Sequence, residues 1–86
     1  MYQLGLLFKN YRFRIVDSFD DPKKAAVMAV AALEHGENVK ASIILEDGSN
    51  KALAAIVKRD VEGVEIFEEL YVSDRELMLQ LAELLI

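Results

Sequence analysis

Apolar and polar positions alternate from the first residues of the chain. Tyr2, Leu4, Leu6 and Phe8 are each separated by one residue, and so are Tyr11, Phe13 and Ile15. A period of two puts such side chains on one face of a strand. A two-residue turn at Lys9-Asn10 would pair Phe8 with Tyr11, Leu6 with Phe13 and Leu4 with Ile15, all on one apolar face. The opposite face of that hairpin would carry Gly5, Leu7, Arg12, Arg14 and Val16.

The period then changes. Ala25 to Leu33 are apolar without interruption, inside "DDPKKAAVMAVAALEHG". At about 100° per residue, Met28, Ala32, Ala25, Ala29, Leu33, Ala26 and Val30 fill one wide arc, and Lys23, Lys24, Glu34 and His35 mark the other. The segment is therefore an amphipathic helix with an Ala-rich face, and Val27 and Ala31 form a minor apolar window on its polar side. Asp21 is placed to cap it, Pro22 suits its first position, and Gly36 suits a left-handed residue just past its end.

Strand patterns return in the middle. Val39, Ala41, Ile43 and Leu45 alternate up to Asp47-Gly48, a strong turn signal. In "KALAAIVKRD" the alanines favour helix, but Ile56-Val57 and the following "VEGVEIFEEL" favour a strand entering a hairpin, and we assign a strand. Gly63 supplies a left-handed residue in the connecting loop. That loop is expected to have three or four residues; the four-residue version would pair Lys58 with Glu65 and Ile56 with Phe67, although the sequence leaves that register open.

The last segment, "SDRELMLQLAELLI", opens on a capping box made by Ser73 and Glu76. Its apolar arc is about 220° wide, against the ~100° needed to cover one sheet. The expected architecture is α+β: a small single domain over residues 1–86, of order ββαβββα, with an antiparallel sheet and both helices packed on one face.

Composition adds one constraint. Hydrophobic residues make up 53% of only 86 residues, so a small core must leave apolar side chains uncovered unless the chain associates with itself. Charge is uneven: residues 1–43 carry six basic and five acidic side chains, residues 44–86 four and ten, which sums to −5. That balance argues against direct binding to nucleic acid or anionic membrane. There is no cysteine, no apolar run approaches the roughly 20 residues of a membrane span, and no N-terminal signal pattern is present, so the expected compartment is cytoplasmic.

The chemical repertoire is thin. His35 is the single histidine, and its place in the last helical turn is explained by the helix dipole. Arg12 and Arg14, two residues apart on a strand, are a candidate contact for a small anion. Glu65, Glu68, Glu69, Asp74 and Glu76 are a candidate acidic surface for a basic protein. No cofactor or metal is expected. The expected function is a non-catalytic, homodimeric interaction or regulatory protein, with Val27, Ala31, Leu79 and Ile86 at the contact. The alternatives are an acidic inhibitor that mimics nucleic acid through residues 60–76, and an anion-binding module built on Arg12 and Arg14.

Overall fold

In the computed structural model, which describes residues 1–85, seven elements follow the expected order. They are β1 (Tyr2–Phe8), β2 (Phe13–Phe19), α1 (Pro22–His35), β3 (Val39–Glu46), β4 (Ala52–Val61), β5 (Val64–Val72) and α2 (Arg75–Leu84). The strands form one sheet in the order β2-β1-β3-β4-β5, antiparallel throughout. Both helices lie on the same face of it, side by side. Leu4, Leu6, Ile44, Ala54 and Ile56 rise from that face to meet Ala25, Ala26, Ala29, Val30 and Leu33 of α1 and Leu77 and Leu81 of α2.

The Ala-rich arc explains how closely α1 sits. Ala25, Ala26 and Ala29 are fully buried. With methyl groups as the only spacers, the helix backbone comes within reach of a strand hydroxyl, and Ser42 Oγ donates to the Ala29 carbonyl at 2.7 Å. Ser42 is the one buried polar residue of the core among the described residues, and this bond satisfies it. Asp21 caps α1 as expected, its Oδ1 accepting from the Lys23 amide at 2.9 Å, with Pro22 behind it.

Four local expectations are corrected. The first hairpin has a three-residue loop, not a Lys9-Asn10 turn: the Tyr11 amide donates to the Phe8 carbonyl, the Phe8 amide donates to the Arg12 carbonyl, and Tyr11 is left-handed with φ 66°. The extra residue slides β2 by one position, so Leu6 pairs with Arg14 and Leu7 with Phe13. Because side chains alternate, a slip of one flips the strand. Phe13 and Ile15 therefore leave the helix-covered face, and Arg14 takes their place on it.

At the end of α1, Gly36 is extended (φ −76°, ψ 132°), and the left-handed residue is Asn38 (φ 62°). Glycine is still required at 36, because a Cβ there would press into the Ala32 carbonyl and the Val39 side chain. The β4–β5 turn has two residues, Glu62 (φ 53°) and Gly63 (φ 83°), so Val61 pairs with Val64 and Lys58 with Phe67. Lastly, α2 is capped by Asp74, whose Oδ1 accepts from the Leu77 amide at 3.1 Å. Ser73 still belongs to the sheet, its amide donating to the Leu53 carbonyl, so the helix starts one residue later than a Ser73 cap would set it.

Residues 52–61 are strand despite their alanines, since tertiary burial overrides propensity: Ala54 is fully buried under the helices. Lys58 ties the layers together at one end. Its Nζ donates to the Leu33 carbonyl in the last turn of α1 at 3.1 Å and meets Glu65 Oε2 at 3.3 Å. At the other end, both helix N-termini approach Tyr2. Burial pushes the Tyr2 hydroxyl above its ordinary pKa, and the charges of Asp74, Glu76 and Asp21 push in the same direction.

Two outcomes follow. In chemical denaturation, Leu4→Ala is expected to cost about 3 kcal/mol, by emptying core volume, and Phe13→Ala about 1 kcal/mol or less. Equal losses would restore the two-residue turn. For Tyr2, a raised folded-state pKa means that the unfolded chain releases the phenolic proton first as pH rises. Its contribution is intact below about pH 10 and declines above it. Tyr2→Phe should flatten that part of the alkaline stability curve, measured by thermal melts at increasing pH.

Candidate functional site

With β2 in its observed register, the two faces of the sheet can be read strand by strand. On the helix side, one row runs Arg14, Leu6, Ser42, Ile56, Glu69, and the next runs Asp17, Leu4, Ile44, Ala54, Val72. The centres of these rows are apolar, while three of their four ends are charged where the helices no longer cover them.

On the other side the rows run Phe13, Leu7, Ala41, Val57, Glu68 and Ile15, Gly5, Ile43, Ala55, Tyr71. A third, at the margin, holds Arg59 and Ile66. No element lies on this side, yet the first two rows are apolar almost from edge to edge. Phe13, Ile15, Ile66 and Tyr71 are 43%, 44%, 39% and 48% exposed. Antiparallel sheets that face water normally alternate apolar with polar residues. This one does not.

Gly5 belongs to that surface. The ring of Phe13 lies across it from the neighbouring strand, in the space a side chain at position 5 would occupy. The charges in these rows, Arg59 and Glu68, are bonded to one another at 3.0 Å. The open face is thus broad, apolar and electrically neutral, on a chain whose net charge is −5.

The helix layer has an apolar surface of its own. Leu77 and Leu81 point into the core, and Leu79, halfway round α2, points directly away from it with 58% exposure. Met78 and Ala82 flank it, both exposed. Val27 is 40% exposed on α1 and Ala31 is half-buried. These two also line shallow grooves of about 420 and 480 Å³ between α1 and edge strand β2, joined at Met28. Ile86, the fourth residue expected at a contact, lies outside the described residues.

The structure disperses the acidic candidates. Glu65 projects on the helix side against Lys58, Glu68 on the open side against Arg59, and Glu69 returns to the helix side. Asp74 is occupied as the cap of α2, and Glu76 lies in its first turn. Five carboxylates on two faces and a helix end do not reproduce the single line of charge that a nucleic-acid mimic presents.

Arg14 stands on the helix-side row and Arg12 opposite Phe8 at the foot of the hairpin loop, its amide held by Asn10 Oδ1 at 3.1 Å. The depression at this end of the sheet, about 620 Å³, is lined by Lys9, Lys40, Lys58, Asp60 and Glu65, not by the arginines. Two of its three lysines are already engaged: Lys58 with Leu33 and Glu65, and Lys40 above the Tyr11 ring at 5.1 Å from its centre. His35 is largely exposed beside Glu34, at 3.7 Å. Among the described residues, no group of three or more His, Asp or Glu is placed to hold a metal ion, and no helix is long and apolar enough to cross a membrane.

Compared with family models, curated proteins and solved structures, the chain gives no match. Its open sheet face is the surface that sets it apart from an ordinary water-facing sheet. A signal for it was present in the sequence. Ala41 to Leu45 and Ala52 to Val57 contain no polar residue except Ser42, and unbroken apolar strands read as buried on both faces.

The close fit of Phe13 over Gly5 can be tested by a double-mutant cycle in denaturant. Gly5→Ala should cost about 1 kcal/mol, by displacing the ring, and should cost nothing further once Phe13→Ala has removed it. Strict additivity would place the ring elsewhere.

Proposed function

We propose that this chain is a small, non-catalytic interaction or regulatory protein that works as a homodimer. The observation that carries the reading is the uncovered apolar surface. A folded monomer of this mass is expected to expose about 5,100 Å². The chain exposes 5592 Å², an excess of about 500 Å². Its exposed large apolar side chains include Phe13, Ile15, Ile66 and Tyr71 on the open sheet face and Met78, Leu79 and Leu84 on α2.

Apolar surface of this extent on a subunit this small costs free energy in water, and self-association removes the cost at no expense in chain length. An isologous contact reuses one patch twice, so a single evolved surface suffices. The charged groups best placed within the sheet and helices support a binding role over a catalytic one: Lys58 pairs with Glu65, Arg59 with Glu68, and Asp21 and Asp74 cap the helices. We place the protein in the cytoplasm on the same reading; a chain without cysteine has no structural dependence on an oxidising compartment.

Light scattering after size exclusion, over a dilution series, is the test. The expected mass at high concentration is twice that of the chain, falling toward the monomer on dilution. A monomer at every concentration would overturn the homodimeric reading.

A further inference from the structure

We propose that the open face of the sheet is closed by the same face of a second copy, giving a four-layer dimer of helices, sheet, sheet and helices. This rests on the homodimeric reading and assigns its contact to the sheet, away from Leu79 and the helix layer.

The partner must be flat, apolar and free of unmatched charge over the whole face. Five strands about 4.8 Å apart, over about five residues at ~3.3 Å each, project roughly 400 Å² per copy. That is close to the excess of about 500 Å² in exposed area. Two copies together would bury about 800–1,000 Å², at the low end for a specific pair, which fits a dimer that dissociates on dilution. Sheets pack face to face about 10 Å apart, a distance that apolar side chains of this size fill.

Charge selects a second copy and selects the face. Two chains of net −5 repel one another in general, but here Arg59 and Glu68 cancel within each copy at 3.0 Å, so the rows meet without like-charge pairs. Pairing at the β5 edge is opposed instead. Joining β5 to β5 about a two-fold axis at the centre of the strand would set Glu68 against the Glu68 of the second copy. A face-to-face two-fold axis along β3 avoids this, and it lays the β2 rim of each copy over the β5 rim of the other. Each row then meets its own row in the second copy, with Ile15 over Tyr71 and Phe13 over the Arg59-paired Glu68.

Sedimentation equilibrium of the wild type, Ile15→Lys, Ile66→Glu and Leu79→Glu tests this. All three positions are exposed in the folded subunit, at 44%, 39% and 58%, so the single subunit should tolerate each change, which circular dichroism verifies. Ile15→Lys and Ile66→Glu should each weaken the dimer by about tenfold or more, since a charge is then buried against an apolar face. Leu79→Glu should leave the affinity unchanged within about twofold. Dissociation by Leu79→Glu, with Ile15→Lys and Ile66→Glu still dimeric, would overturn the sheet contact and leave the homodimer standing. A monomeric wild type would overturn both. If a charged variant unfolds, chemical-shift changes of the wild type on dilution decide: at Phe13, Ile43 and Tyr71 they support the sheet contact, and at Met78 and Leu79 they refute it.

Discussion

Two helices can cover one face of a five-stranded sheet and no more. Helices of 14 and 10 residues, each about 10 Å across, lie side by side over roughly 20 Å of a sheet that is about 24 Å wide. Among the described residues no element lies on the other face. The rest of the structure is a response to this limit. Charged residues stand where helix cover runs out, at Arg14, Asp17 and Glu69, and apolar residues continue where there is no cover at all. The first arrangement is what water demands of an exposed margin. The second makes sense when something other than water lies against it.

The covered side shows how little helix is needed when it sits close. Small side chains on α1 let its backbone descend onto β3 until Ser42 reaches the Ala29 carbonyl, and Lys58 fixes the far end through the Leu33 carbonyl. A bulkier face would lift the helix and leave Ser42 buried without a partner, at a cost of ~1–3 kcal/mol. Close seating also explains why Gly36 is a glycine without being left-handed: the chain leaves α1 directly under Val39, with no room for a Cβ.

Much of the architecture was legible in the sequence because it rests on local signals. Asp21-Pro22 marked the start of α1, Asp47-Gly48 and Gly63 marked turns, and the change from period two to 3.6 separated strands from helices. What failed was register. Lys9-Asn10 and Lys9-Asn10-Tyr11 are both acceptable loops, and the choice turns on whether Tyr11 adopts a positive φ, which propensity disfavours for a bulky residue. Ser73 and Asp74 are both good caps, and a strand hydrogen bond to Leu53, invisible locally, decided between them. The acidic cluster was contiguous in sequence yet dispersed in space, because strand alternation sends Glu68 and Glu69 to opposite faces.

The register of the first hairpin and the open surface are one problem. An alternating strand with Phe13 and Ile15 on one side and Arg12 and Arg14 on the other reads naturally as apolar inside and charged outside. That inference assumes that the covered face is the only apolar one. The structure reverses the strand, and the assumption fails in the same step: Arg14 can stand at the edge of the helix-covered face because that edge is wet, and Phe13 can turn to the open side because Leu7, Ala41 and Val57 continue its row. Which face a strand side chain takes therefore depends on the neighbours across the whole sheet. In β1, β3 and β4 those neighbours are apolar on both sides, and only a second covering layer removes that surface from water.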